Sequence, residues 1–180
     1  YFCIDLPEAN FLTSYYLNES LTKKKIYLYN DYLKEKDEFV SSDSIKNFDI
    51  FILPPWVKFN DELKIDLFIN TRSMAEMEFE SIKKYFHFIQ KHVSDDGFFL
   101  NINRYTKNAV GYPVNLGDYP YDSNWEVSLS KKTFKHPSIH FLLTQRKFSN
   151  FKNNIRNEIE KIKVESEKYP AIPVGVKKGF

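Results

Sequence analysis

The stretch from Ile65 to Ile102 constrains the chain most. Ile65-Asp66-Leu67-Phe68-Ile69-Asn70 is a short apolar run, and Phe98–Ile102 is another. Between them Phe79, Ile82, Phe86, Ile89 and Val93 recur at helical spacing, which predicts a helix over Ser73–Val93 with one apolar stripe. Asp95-Asp96-Gly97 is expected to end it. Two buried strands separated by a helix of that length form a parallel pair, because parallel neighbours need a long crossover, and such crossovers are right-handed.

The same alternation runs through the first part of the chain. Tyr1–Leu6 ends in an acid and then Pro7, which suits a buried strand followed at once by a helix with proline in its first turn. Phe11, Leu12, Tyr15, Tyr16 and Leu17 repeat at helical spacing up to about Leu21. Lys25–Tyr29 and Phe48–Leu53 are further strands, the second halted by Pro54-Pro55, since proline cannot donate to a ladder. Residues 30–47 are polar, a surface connection with room for a helical turn.

After Ile102 the pattern changes. Asn103–Asn124 holds several Tyr, Gly and Pro residues and is expected to be a structured loop. Trp125–Leu129 and Ile139–Thr144 are strands joined by too short a connection for a crossover helix, so they are antiparallel. Phe148, Phe151, Ile155, Ile159 and Ile162 mark a charged amphipathic helix before a Pro/Gly-containing tail. The fold class is α/β.

Composition narrows the partners. A net charge of +2, with basic and acidic residues interleaved, argues against nucleic acid or an anionic membrane. No apolar stretch approaches the roughly 20 residues of a membrane helix, and no signal peptide is visible, so a cytoplasmic protein is expected. The single cysteine, Cys3, lies in an apolar run and reads as a buried, inert thiol. His87, His92, His136 and His140 do not form a ligand set, and no metal is expected.

Several short words resemble one family. Ile4-Asp5-Leu6-Pro7-Glu8 resembles the end of the second strand in many small-molecule O-methyltransferases. Asp49-Ile50-Phe51-Ile52-Leu53-Pro54-Pro55-Trp56 is similar to the third-strand region of the sugar O-methyltransferases. Ile65 to Met77, through Asn70-Thr71-Arg72-Ser73-Met74-Ala75-Glu76, resembles that family's fourth strand and following turn, and Gly97 to Tyr105 its fifth. The resemblance covers about residues 1–146, leaving 147–180 as a separate helix and tail.

It implies a Rossmann-like class I methyltransferase sheet, mostly parallel, with a C-terminal antiparallel pair and strand order 3-2-1-4-5-7-6. It further implies S-adenosyl-L-methionine as cofactor and a sugar or polysaccharide hydroxyl as methyl acceptor. The family's first strand and its Gly-x-Gly loop would precede Tyr1, and the glycines at 97, 111, 117, 175 and 179 fall elsewhere. The first strand is therefore missing from these residues, which alone are expected to be inactive. The alternatives are a non-catalytic Rossmann-like remnant that binds a partner and a nicotinamide-dependent dehydrogenase domain. The antiparallel pair and the lack of Gly-x-Gly-x-x-Gly speak against the second.

Candidate residues follow, each with a plainer alternative. By the resemblance Asp5, with Leu6, would hold the cofactor's ribose hydroxyls; otherwise Asp5 is an acid at a helix start. Leu53, Pro54 and Trp56 would offer adenine an apolar surface, or else bury a strand end. Asn70, Thr71 and Arg72 lie just past the strongest strand, where ligands of open α/β sheets collect, and Asn70 needs a partner after four apolar neighbours. Glu76 could be the general base, but Ser73-x-x-Glu76 matches a capping box, and the spacing favours the cap. Asp118, Asp122 and His140 are further base candidates, with a core or edge position the plainer reading of His140. Arg104, Tyr105, Tyr119 and Tyr121 would contact the sugar, or else pack a loop on the sheet edge.

Overall fold

In a computed structural model, residues 1–35, 38–149 and 151–171 are described. The chain divides into two compact units, Tyr1–Leu63 and Lys64–Phe180.

The first unit runs β1 (Phe2–Ile4), α1 (Pro7–Ser20), β2 (Ile26–Leu28), α2 (Tyr29–Tyr32), α3 (Ser42–Asn47) and β3 (Ile50–Leu53). All three strands are parallel in the order β1-β3-β2, with Phe2 opposite Phe51 and Tyr27 opposite Phe51 on the other side. The apolar run Ile50-Phe51-Ile52-Leu53 takes the centre because all four residues are buried. Tyr27, Val40, Phe51, Leu53 and Val57 form the core. Pro7 opens α1 as expected, and Ser41 caps α3 by accepting the Ser44 amide at 3.2 Å. α1 departs from expectation in burial: only Asn10 is buried, while Phe11, Leu12, Tyr15 and Tyr16 are exposed. Cys3 is partly exposed, and burial is the main cause raising its thiol pKa.

The second unit runs β4 (Ile65–Thr71), α4 (Phe79–His92), β5 (Val93–Arg104), β6 (Thr106–Lys107), β7 (Val114–Asn115), β8 (Trp125–Lys132), β9 (Ile139–Arg146) and α5 (Ile155–Ser166). Its main sheet has the order β4-β5-β9-β8. β4 and β5 are parallel and β8 and β9 antiparallel, as the connection lengths require, and β9 also runs antiparallel to β5. β6 and β7 form a small antiparallel ribbon within the expected loop.

Three expectations are corrected here. The helix begins at Phe79 rather than Ser73; a 3-10 turn, Met74–Glu76, precedes it, because side-chain oxygens of Asn70 and Asn103 take the Met74 and Ala75 amides. The capping box does not form, since Ser73 makes no side-chain cap and Glu76 instead pairs with Lys107. Asp95-Asp96-Gly97 lies inside β5, where the Ile65/Leu67 register shift and Asp96 at φ 64° mark a bulge. Gly97 is needed there: a Cβ would meet the Ser94 carbonyl at 2.9 Å.

α5 is no separate tail. Ile155 and Ile162 join the core with Ile82, Phe86, Ile89, Phe99, Trp125 and Leu142, so the division falls after Leu63 rather than after residue 146. This core covers the sheet face bearing Phe99 and Leu142. The opposite face, with Leu67 and Ile69, is half exposed. No helix among the described residues is long and apolar enough to cross a membrane.

Candidate functional site

Parallel strands bring their carboxyl ends to one rim of a sheet, the usual ligand position in open α/β folds. Each unit has such a rim.

In the first, Asp5 follows β1, and its amide donates to the Leu53 carbonyl at 3.3 Å. One carboxylate oxygen accepts the Leu6 amide at 2.8 Å, and the group is exposed. Asn10 donates to the Asp5 carbonyl at 2.8 Å, tying the strand end to α1. Leu6 is exposed, but Leu53 and Pro54 are buried in the core and offer no open surface. Trp56 is 55% exposed, and its indole N–H donates to the Tyr29 hydroxyl at 3.3 Å with the rings edge to face. Tyr29 was not singled out from the sequence. Its signal was positional: it directly follows β2, much as Asp5 follows β1.

The second rim is organised by three buried asparagines. Asn103 donates to the side-chain oxygens of Asn70 at 2.8 Å and Asn101 at 2.5 Å. Asn101 in turn donates to the Tyr121 hydroxyl at 3.1 Å, and Asn70 to the Ser73 hydroxyl at 2.5 Å. The partner Asn70 needs after its apolar run is thus another strand's amide. Asn101 and Asn103 were missed, although their alternation with Leu100 and Ile102 put them on one strand face. This ladder holds the turn after β4, where Arg72 sits at φ 63° with its amide donating to the Ile102 carbonyl at 2.8 Å. Thr71 and Arg72 are exposed, and Arg104, ending β5, is half-buried.

The remaining candidates separate into groups. Glu76 is paired with Lys107 on β6; Thr106 of the same strand donates to Asn115, whose amide donates to Asp118 at 3.3 Å. Asp122 pairs with buried Arg146 at 2.6 Å. Tyr119 and Tyr121 pack their rings edge to face on Phe86, so neither presents a free face to a sugar. Burial raises both phenol pKa values, and for Tyr121 the nearby Tyr119 adds to this against the Asn101 hydrogen bond.

Tyr105 and His140 belong to one buried chain. The Tyr105 hydroxyl is 2.8 Å from His140 Nδ1, Ser130 Oγ is 2.7 Å from Nε2, and Ser130 donates to Glu158 at 2.6 Å. A neutral imidazole satisfies this chain if Tyr105 donates to Nδ1 and Nε2–H donates to Ser130. Burial lowers the His140 pKa to about 4, against the opposing pull of Glu158 and Glu165. Tyr105 is pushed up to about 12, first by burial and then by Glu165. With both ring nitrogens engaged, His140 has no lone pair to offer a substrate.

Among the described residues no group of three or more His, Cys, Asp or Glu could hold a metal. No family model matches the chain, and no curated protein matches it. Among solved structures it is similar to one described as a "putative type 11 methyltransferase from Sulfolobus solfataricus". The identity is 18% and the TM-score 0.36, over 77% of this chain and 94% of that one, a likeness too distant to bear on function.

Proposed function

We propose that the chain is the later part of an S-adenosyl-L-methionine-dependent O-methyltransferase acting on a sugar or polysaccharide hydroxyl. The observation that carries this is the strand order β4-β5-β9-β8, with β9 antiparallel between two strands of the other direction. It matches the 4-5-7-6 half of the sheet implied by the sequence resemblance. β1 and β4 are each an edge strand of their own sheet.

The residues present fit the cofactor at Asp5. Its exposed carboxylate has one oxygen on the Leu6 amide and the other without a partner among the described residues, so it can accept ribose hydroxyls. Trp56 keeps an exposed indole for stacking against adenine. The bound cofactor supplies a methyl group on a sulfonium. Transfer is an in-line displacement that needs an acceptor oxygen held about 3 Å away and relieved of its proton. In this proposal the turn Asn70-Thr71-Arg72 and Arg104 position the acceptor, and Glu76 or Asp118 receives the proton.

Calorimetric titration with S-adenosylhomocysteine, on the protein containing these residues, tests the reading. Asp5→Ala is expected to weaken binding about ten-fold or more, since hydrogen bonds to a charged group are lost. An unchanged dissociation constant would return Asp5 to a structural role and remove the cofactor from this rim.

A further inference from the structure

We infer that the rim formed by Arg72 and Arg104 binds an anionic group, so that the acceptor is a sugar carrying a carboxylate or phosphate. This rests on the acceptor site proposed above and names its substrate class.

Several cations of the second unit are matched to carboxylates: Lys107 with Glu76, Lys132 with Glu165, Arg146 with Asp122 and Lys147 with Glu126. Arg72 and Arg104, at the carboxyl ends of neighbouring parallel strands, are not. Neither guanidinium has a hydrogen-bond or carboxylate partner among the described residues, and Glu76, in the turn just after Arg72, is already taken by Lys107. Arg72 directly follows β4, and Arg104 ends the adjacent parallel strand β5. Arg72 donates its amide to Ile102, and Arg104 follows two residues later, so their backbones are about one strand spacing apart, roughly 5 Å. A bound anion would supply the carboxylate-type partner that each guanidinium lacks. The planar fork of a guanidinium matches carboxylate and phosphate oxygens in pairs.

The backbone gives an independent sign. Arg72 adopts φ 63°, a left-handed conformation that glycine or asparagine takes at lower cost. The buried asparagine ladder holds the turn in that shape. Strain retained at an exposed, unpaired arginine beside a ligand rim is the pattern of a residue kept for binding. Thr71, exposed beside it, adds a hydroxyl.

The test is a cofactor-free ¹H–¹⁵N titration of the full chain with D-glucuronate, D-glucose 6-phosphate, D-glucose and inorganic phosphate. Both charged sugars are expected to bind at least ten-fold more tightly than glucose and than inorganic phosphate, and the tighter of the two identifies carboxylate or phosphate as the natural group. Arg104→Gln and Arg72→Gly should each weaken the charged sugars about ten-fold. Arg72→Gly should also leave Tm unchanged or raised, because glycine relaxes the φ, and a purely structural arginine would not give that pairing. Equal binding of glucose, equal binding of inorganic phosphate, no binding of either charged sugar, or unchanged binding in both variants would each overturn the inference. So would displacement of glucuronate by S-adenosylhomocysteine, which would assign the arginines to the cofactor's carboxylate. Charged-sugar binding by the chain, with no S-adenosylhomocysteine binding by the protein that contains these residues, would instead remove the methyltransferase reading alone.

Discussion

α1 and α4 are helices of equal length, 14 residues each, and both lie beside a parallel strand. Their burial is opposite. α4 sinks Ile82, Phe86 and Ile89 to 1% exposure or less, whereas α1 leaves Phe11, Leu12, Tyr15 and Tyr16 about two-thirds exposed or more. Phe86 meets Phe99, Tyr119 and Tyr121 edge to face, with the Tyr121 centroid 4.7 Å away. Among the described residues no comparable ring packing is made by Phe11, Tyr15 or Tyr16 of α1. Helical spacing therefore decides that a segment can be a helix, and a partner surface decides whether its stripe becomes core.

The largest expected difference comes from truncating one ring in each helix. Phe86→Ala should cost about 3–5 kcal/mol of unfolding free energy, since it opens a cavity among packed aromatics, while Phe11→Ala should stay within about 0.5 kcal/mol. Urea melts of both variants measure this, and equal losses would break the comparison.

His140 sharpens it through pH. Its folded pKa, about 4, lies below the ordinary 6.5, so between these values the unfolded chain binds more protons and stability rises with pH. The contribution, on the order of 3 kcal/mol, is fully present above about pH 6.5 and lost as pH falls toward 4. Lys132 faces the same ring and opposes protonation, while Glu158 and Glu165 favour it. Both glutamates have pKa values below their ordinary 4.5, so their own losses come at lower pH. Melts at pH 7 and pH 5 should show His140→Gln abolishing most of the decline, and an unchanged decline would locate it elsewhere.

Asparagines offer a smaller contrast. Asn103→Ala should cost about 1–3 kcal/mol, because buried Asn70 and Asn101 oxygens lose their donor. Asn10→Ala, which removes one bond to the Asp5 carbonyl, should cost about 1 kcal/mol. Denaturation midpoints rank the two, and a reversed order would mean the ladder contributes little. The smallest effect is expected at Glu76. Glu76→Gln loses only a solvent-exposed pair with Lys107, so Tm should reflect less than about 1 kcal/mol. A larger drop would give Glu76 a structural role that its surroundings do not show.

Much of the second unit was legible in the sequence. The β4–β5 pair followed from two apolar runs separated by a helical stripe, and the β8–β9 pair from a connection too short for a crossover. The local spacing at Ser73 and Glu76 misled, because it favoured a helix cap that does not form. Asn103, 28 positions away, instead accepts the Ala75 amide within the 3-10 turn, and α4 starts only at Phe79. Tyr105, Tyr119 and Tyr121 read as loop aromatics open to a sugar, yet they pack inward around Phe86, Phe99 and His140.

The sequence by itself determined the periodic elements, the direction of their pairing and the polar residues at the strand ends, because each depends on neighbours along the chain. Only the tertiary structure decided which side chain each polar group would meet. Lys107 for Glu76, Asn103 for Asn70 and Ser130 with Tyr105 for His140 all come from distant segments. Many groups of equal chemistry were available to each, and packing brought one within hydrogen-bond reach while leaving the Arg72 and Arg104 guanidiniums without one among the described residues.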